Sequence, residues 1–292
     1  MRSRTKFLSI VASFLIVFVS AANTMLAPTH VVFAAPALAP DAKCANATLI
    51  NTIATDLVDI GGTVKTLPDQ KANGTYDALI KIVNARLKYE DMTTPADLGC
   101  NYLVTETIIL FATIGDYGLI NMGSKLGLDT SADLPVVTDR LTKQLQKVTD
   151  LVGTPTASAA TAAAPTPAAT AMAPTAKCTN QKLIDAINAD LVDIAADMKT
   201  IPSTGAGGVY SIAIKTANAR LKYEDLEVPT DEGCTYLWTE SVILFANIGD
   251  LNVLNLGAKL NIDVSADMPT SSARLDAQLK KVNAYVGVNP TS

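Results

Sequence analysis

The octapeptide "NARLKYED" occurs at Asn84–Asp91 and again, letter for letter, at Asn218–Asp225. The 134 residues between the two also separate Cys44 from Cys178 and Cys100 from Cys234. At that offset residues 43–153 lie on residues 177–287 without a gap, and roughly half of the positions are identical. A fixed period of this size marks a tandem duplication. Between the copies runs "TPTASAATAAAPTPAATAMAPTA" (Thr154–Ala176). Its Ala, Thr and Pro content has no apolar periodicity and suits an extended, flexible linker open to O-linked sugars.

Each copy reads as helical. In the first, Leu49, Ile53, Leu57, Ile60, Val64 and Leu67 recur at spacings of three and four until Pro68, which predicts an amphipathic helix. Tyr76, Ile80, Val83 and Leu87 predict a second, ending before Pro95. A third begins near Asp97 and carries "CNYLVTETIILFATI", so apolar that burial nearly all round is expected. Gly115-Asp116 reads as a stop and a new N-cap, so "YGLINMGSKL" is expected to form a separate short helix ending at Gly127. The second copy has Asn261 there, and Gly and Asn are the residues that accept a left-handed C-cap. A last helix carries Leu141, Leu145, Val148 and Val152. Short connections make successive helices antiparallel. The expected fold is all-α: two tandem up-down four-helix bundles, each with one extra short helix. The expected boundaries are a signal peptide over 1–34, a spacer over 35–42, one module over 43–153, a linker over 154–176 and a second module over 177–292.

In such a bundle the first and third helices start at the same end. Cys44 and Cys100 stand at those two starts. Four cysteines allow three pairings, and the duplication selects Cys44–Cys100 with Cys178–Cys234. No redox CxxC spacing is present.

The chain opens with Arg2, Arg4 and Lys6 before the apolar run "FLSIVASFLIVFVSAA" (Phe7–Ala22). This is the pattern of a secretory leader, with cleavage favoured after Ala34 and Ala22 as the competing site. An uncleaved anchor is the rival reading, disfavoured because the run falls short of the ~20 residues that span a bilayer. No later segment reads as a stable membrane span. Three of the 23 basic residues and none of the 28 acidic ones lie in the first 40, which leaves a net charge near −8. That balance speaks against nucleic acid and anionic membrane surfaces as partners.

The only histidine, His30, lies in the leader region. Serine–histidine and cysteine–histidine catalysis are therefore not expected, nor histidine-ligated zinc or a Glu-x-x-His di-iron site. No catalytic residue, metal ligand or cofactor-binding residue is assigned. "DTSAD" (Asp129–Asp133) and "DVSAD" (Asp263–Asp267) resemble the start of a calcium loop, but Leu134 or Met268 stands at the sixth position and Arg140 or Arg274 at the twelfth. The pattern needs Gly and Glu there, so helix capping is the better reading. Asp56 and Asp59, repeated as Asp190 and Asp193, read as a solvated helix face rather than an acid–base pair. Trp238 replaces Val104 and reads as core.

The candidate site is a buried polar cluster. Arg86 and Glu90 fall on the inner side of the second helix as i,i+4 neighbours. Glu106 lies in the least polar helix, where a carboxylate is expensive unless paired. Their helix heights suggest that Arg86 serves both Glu90 and Glu106, with Arg220, Glu224 and Glu240 repeating the set. Such a cluster either fixes helix register or anchors the polar head of an apolar ligand. The sequence thus points to a secreted, non-enzymatic two-module protein that binds a hydrophobic or amphiphilic small molecule. The alternative is a structural or adhesive protein that binds a surface polymer or protein through duplicated faces. Oligomeric state is not readable.

Overall fold

A computed structural model describes residues 43–92, 95, 97–152, 177–226, 229 and 231–286. The expected leader, spacer and linker lie outside the described residues. Among the described residues the fold is all-helical, with eight α-helices and no strand. They fall into two compact units, 43–152 and 177–286. The first holds α1 (Ala47–Thr66), a 3₁₀ turn (Leu67–Asp69), α2 (Ala72–Glu90), α3 (Leu98–Lys125) and α4 (Asp133–Val152). The second holds α5 (Gln181–Met198), α6 (Ala206–Glu224), α7 (Glu232–Lys259) and α8 (Asp267–Val286).

Local chemistry sets the helix ends. Asn46 caps α1 by accepting from the Leu49 amide at 3.1 Å, and Asp97 caps α3 by accepting from the Cys100 amide at 2.7 Å. Asn180 and Asp231 do the same for α5 and α7. Pro68 sits in the 3₁₀ turn that ends α1, since its ring cannot continue a helix. Gly127 and Asn261 take positive φ, 72° and 61°. The Gly127 and Leu128 amides donate to the Ser124 and Gly123 carbonyls at 3.0 Å each, and Asn261 and Ile262 repeat this on Ala258 and Gly257. That is a Schellman cap.

The expected helix break at Gly115-Asp116 is absent. Helix α3 runs unbroken for 28 residues, as does α7, so neither unit has an extra short helix before its last one. A helical glycine costs about 1 kcal/mol against alanine. Burying apolar side chains such as Phe111, Ile114 and Leu119 on either side returns more than that, at about 1.5–3 kcal/mol each.

The Cys44–Cys100 and Cys178–Cys234 disulfides are both present, each closing a separation of 56 residues. The first ties the starts of α1 and α3 together, while Lys125 at the end of α3 donates to the Pro68 carbonyl just beyond α1, at 2.5 Å. These two helices therefore run the same way. Helix α2 runs against both, because Asp56 and Asp59 of α1 meet Lys88 and Lys81 in reverse order. Its inward residues are Tyr76, Leu79, Ile82, Arg86 and Tyr89. The face expected from Ile80, Val83 and Leu87 is rotated by about one residue, and those three are only half-buried. The stack of Tyr89 on Phe111, 5.7 Å between centroids, fixes the rotation.

Helices α3 and α7 are long and apolar enough to cross a membrane by length and composition, a test that a buried core helix also passes. Their most apolar stretches are 83% and 72% buried. Burial of that extent is what the central helix of a bundle requires.

Candidate functional site

The octapeptide lies at the C-terminal end of α2, and the structure uses most of it. Arg86, 2% exposed, pairs with Glu90 across one helical turn, Nη1 to Oε1 at 3.2 Å. Arg220 Nη1 bonds Glu224 Oε1 in the second unit. Tyr89 stacks on Phe111 and donates its hydroxyl to Asp56 Oδ2 at 2.6 Å. Burial, with the Asp56 hydrogen bond and charge added, pushes the Tyr89 hydroxyl far above its ordinary pKa. Lys88 reaches the same Asp56 oxygen at 2.7 Å. Tyr223, Lys222 and Asp190 repeat the arrangement. Asp59 faces water and pairs with Lys81.

Glu106 is buried at 4% exposure, but its partners come from α4. Lys147 Nζ lies 2.6 Å from Oε1, and Gln144 Nε2 donates to Oε2 at 2.7 Å and to the Glu106 carbonyl at 3.0 Å. The cation expected from Arg86 is thus supplied to Glu106 by Lys147. The reason is azimuth. Phe111 and Gly118, seven residues apart on α3, face α2, and position 104 continues that row. Glu106 stands two residues further on, about 200° round the helix, and so faces away from α2. Helix heights alone cannot register this.

Tyr102, one turn before Glu106, lies beside the pair, with Lys147 Nζ 5.4 Å from its ring centroid. Burial alone would lower the Lys147 pKa. The hydrogen bond and charge of Glu106, helped by Tyr102, together raise it.

No family model, curated protein or solved structure matches this chain. The two units are therefore each other's best comparison.

In the second unit Glu240 is 6% exposed and accepts from Gln278 Nε2 at 2.5 Å. Lys281 stands further off, 3.6 Å from Oε2. Tyr285 occupies the position of Leu151, and its ring meets that of Tyr236 at 4.7 Å with a 44° tilt. Burial, with the charge of nearby Glu240 added, raises the pKa of both tyrosines. Gln144, Lys147 and Tyr102 with their counterparts were missed from the sequence. The signal was available, because Tyr, Glu, Gln and Lys are identical at all four paired positions.

Other candidates resolve plainly. The acidic loop makes an Asx turn, Ser131 amide to Asp129 Oδ1 at 3.0 Å, repeated at Ser265 and Asp263. The Ser131 hydrogen bonds hold the Asp129 carboxyl below its usual range. Cys44, Asp97 and Cys100 place three ligand atoms within 4.8 Å of one another, as do Cys178, Asp231 and Cys234. Both sulfurs are bonded to each other and the carboxylate caps a helix, so no thiolate remains to hold a metal. Trp238 is buried, with Nε1 donating to the Tyr223 carbonyl at 2.7 Å.

Proposed function

We propose that the chain is an exported, non-enzymatic binding protein. In this reading it comprises two tandem copies of one disulfide-linked, up-down four-helix bundle on a flexible linker, each taking an apolar or amphiphilic small molecule. The observation that carries the reading is a carboxylate buried twice over in an apolar helix, Glu106 and Glu240, each beside a half-exposed lysine. Burying such a group costs several kcal/mol before pairing. Placed at a seam between helices, it gives a ligand's polar head a fixed partner and the tail an aliphatic lining. The apolar start and the two disulfides fit an oxidising compartment. Native mass spectrometry of protein purified from its own source tests the reading. A co-purifying mass of lipid size is expected, and a clean apo mass overturns it.

One observation favours a second reading, attachment to a polymer or protein surface. The Lys81–Asp59 and Lys88–Asp56 pairs across α1 and α2 recur as Lys215–Asp193 and Lys222–Asp190. Two copies of one charged face on a linker would bind with avidity. Replacing Lys215 and Lys222 with alanine would then weaken retention on such a surface far more than twofold.

A further inference from the structure

The first unit shows what fits beside the buried carboxylate. Its own Lys147 brings an ammonium within 2.6 Å of Glu106 Oε1 and 5.4 Å of the Tyr102 ring centroid. In the second unit the equivalent lysine holds its carboxylate more loosely. Lys281 has withdrawn to 3.6 Å from Glu240, past the roughly 2.7–2.9 Å of a strong ionic hydrogen bond. The Gln278 amide bonds Glu240 as Gln144 bonds Glu106, so what is new beside the carboxylate is a looser lysine and a pair of tyrosines, Tyr236 and Tyr285, whose rings lie 4.7 Å apart. Tyr285 adds a second aromatic ring where the first unit has Leu151.

From this geometry we infer that the Glu240–Tyr236–Tyr285 site of the second unit receives the ammonium group of an external ligand, a primary alkylamine or an amphiphile with such a head. A buried carboxylate gives a desolvated counter-charge, and tyrosine faces attract cations through their ring quadrupoles. An anionic head meets the Glu240 charge and is rejected. A neutral head gains only hydrogen bonds that the site already makes for itself. The inference rests on the binding-protein reading and adds the head-group chemistry to it.

The test is a titration of the full-length chain with n-butylammonium chloride at constant ionic strength, with n-butanol as the uncharged counterpart, followed by calorimetry. Saturable uptake of one ammonium per chain is expected, with butanol at least tenfold weaker. Glu240→Gln keeps the shape and hydrogen bonds of the site and removes its charge, so it should weaken uptake at least tenfold. Tyr285→Leu installs the residue that the first unit already tolerates and should act in the same direction. Absence of saturable uptake, equal binding of butanol, or uptake indifferent to Glu240→Gln overturns the inference. If the chain instead co-purifies with a neutral or anionic amphiphile and takes up no ammonium, the head-group assignment falls and the binding-protein reading stands.

Discussion

Around Gly118 the first unit closes the seam between α2 and α3 with hydrocarbon. A Cβ at Gly118 would come within 2.7 Å of Leu79 Cδ2 and 3.9 Å of Ile82 Cδ1, so the glycine leaves room that two aliphatic side chains fill. At the equivalent positions the second unit has Asn252, Ala213 and Thr216. Asn252 Nδ2 donates to Thr216 Oγ1 at 3.2 Å, and Thr216 Oγ1 donates to the Ile212 carbonyl at 2.9 Å. Either trio contains eight side-chain heavy atoms. The exchange conserves volume and changes polarity, which is why one backbone accommodates both. The comparison separates what the scaffold demands from what it tolerates. Arg86, Tyr89 and Glu90 with their partners are the same in both units, whereas this interior block is rewritten as a set.

The identical part can be attacked first. Arg86→Met strands Glu90 in a site where its side chain is 5% exposed, and breaking a buried pair this way typically costs ~3–5 kcal/mol. Arg220→Met should cost the second unit as much. Hydrogen exchange with mass spectrometry on the full-length chain reads both units in one sample. A cost confined to one unit would show that burial does not explain the repeated octapeptide. Adding Glu90→Gln should recover part of the loss.

Removing a disulfide comes next. With 56 residues between the cysteines in each unit, the chain-entropy argument gives a loss of roughly 4 kcal/mol. Replacing Cys44 and Cys100, or Cys178 and Cys234, with alanine should destabilise the respective units equally. Denaturant melts detected by Trp238 report the second unit alone, since it holds the chain's one tryptophan. Unequal losses would mean that the two unfolded segments differ in residual structure.

The rewritten block gives a smaller but more diagnostic effect. Gly118→Asn drives a side chain into Leu79 and should cost the first unit about 1–3 kcal/mol. Leu79→Ala and Ile82→Thr added to it should return most of that loss. The reverse transplant into the second unit should be stabilising. Among the described residues Asn252 Oδ1 has no hydrogen-bond partner, and an orphaned buried acceptor costs about 1–3 kcal/mol. If each substitution acts independently of the others, the block is not a unit.

Lys147 sets the smallest expected effect. Its side chain is 46% exposed, which screens the pair, and Gln144 still donates to Glu106, so Lys147→Met should cost less at neutral pH than the ~3–5 kcal/mol of a pair buried on both sides. Lys281→Met should cost less, at its longer separation. The folded pKa of Lys147 is raised above the unfolded value near ~10.4. Its stabilisation is therefore complete below that value and is lost as pH rises through the folded pKa. Melts from pH 7 to 11 should show wild type and Lys147→Met converging only at the alkaline end.

Much of this architecture is legible in the sequence because it is written in local chemistry. Asp97, Pro68 and Gly127 mark helix ends whatever else the chain does, and the cysteine pairing follows from helix order. What the sequence hides depends on rotation about a helix axis. The inner face of α2 turns with the Tyr89–Phe111 stack. Glu106 finds Lys147 because of its azimuth on α3. Leu145, expected to face the core, is 44% exposed, while Gln144 beside it turns toward Glu106. The run through Gly115 fails for another reason, since a weak local stop loses to burial on both sides of it.

The exchange at Gly118 also bears on how a chain carrying two related sequences assembles each unit from its own pieces. Helices α2 and α6 end in the same seven residues and the same C-cap aspartate, and Asp56 or Asp190 would accept Lys88 or Lys222 alike, so surface pairing cannot tell them apart. The interior can. Were α2 to dock on α7, Leu79 would meet Asn252 and two four-atom side chains would compete for one space. Were α6 to dock on α3, Ala213 and Thr216 would face Gly118 across a void, and Thr216 would lose its amide partner. Tandem repeats are prone to such exchange of segments between neighbours. The mismatch between position 118 or 252 on one helix and the two residues facing it on the other would penalise both wrong pairings, so that the interior rather than the surface would sort the segments during folding.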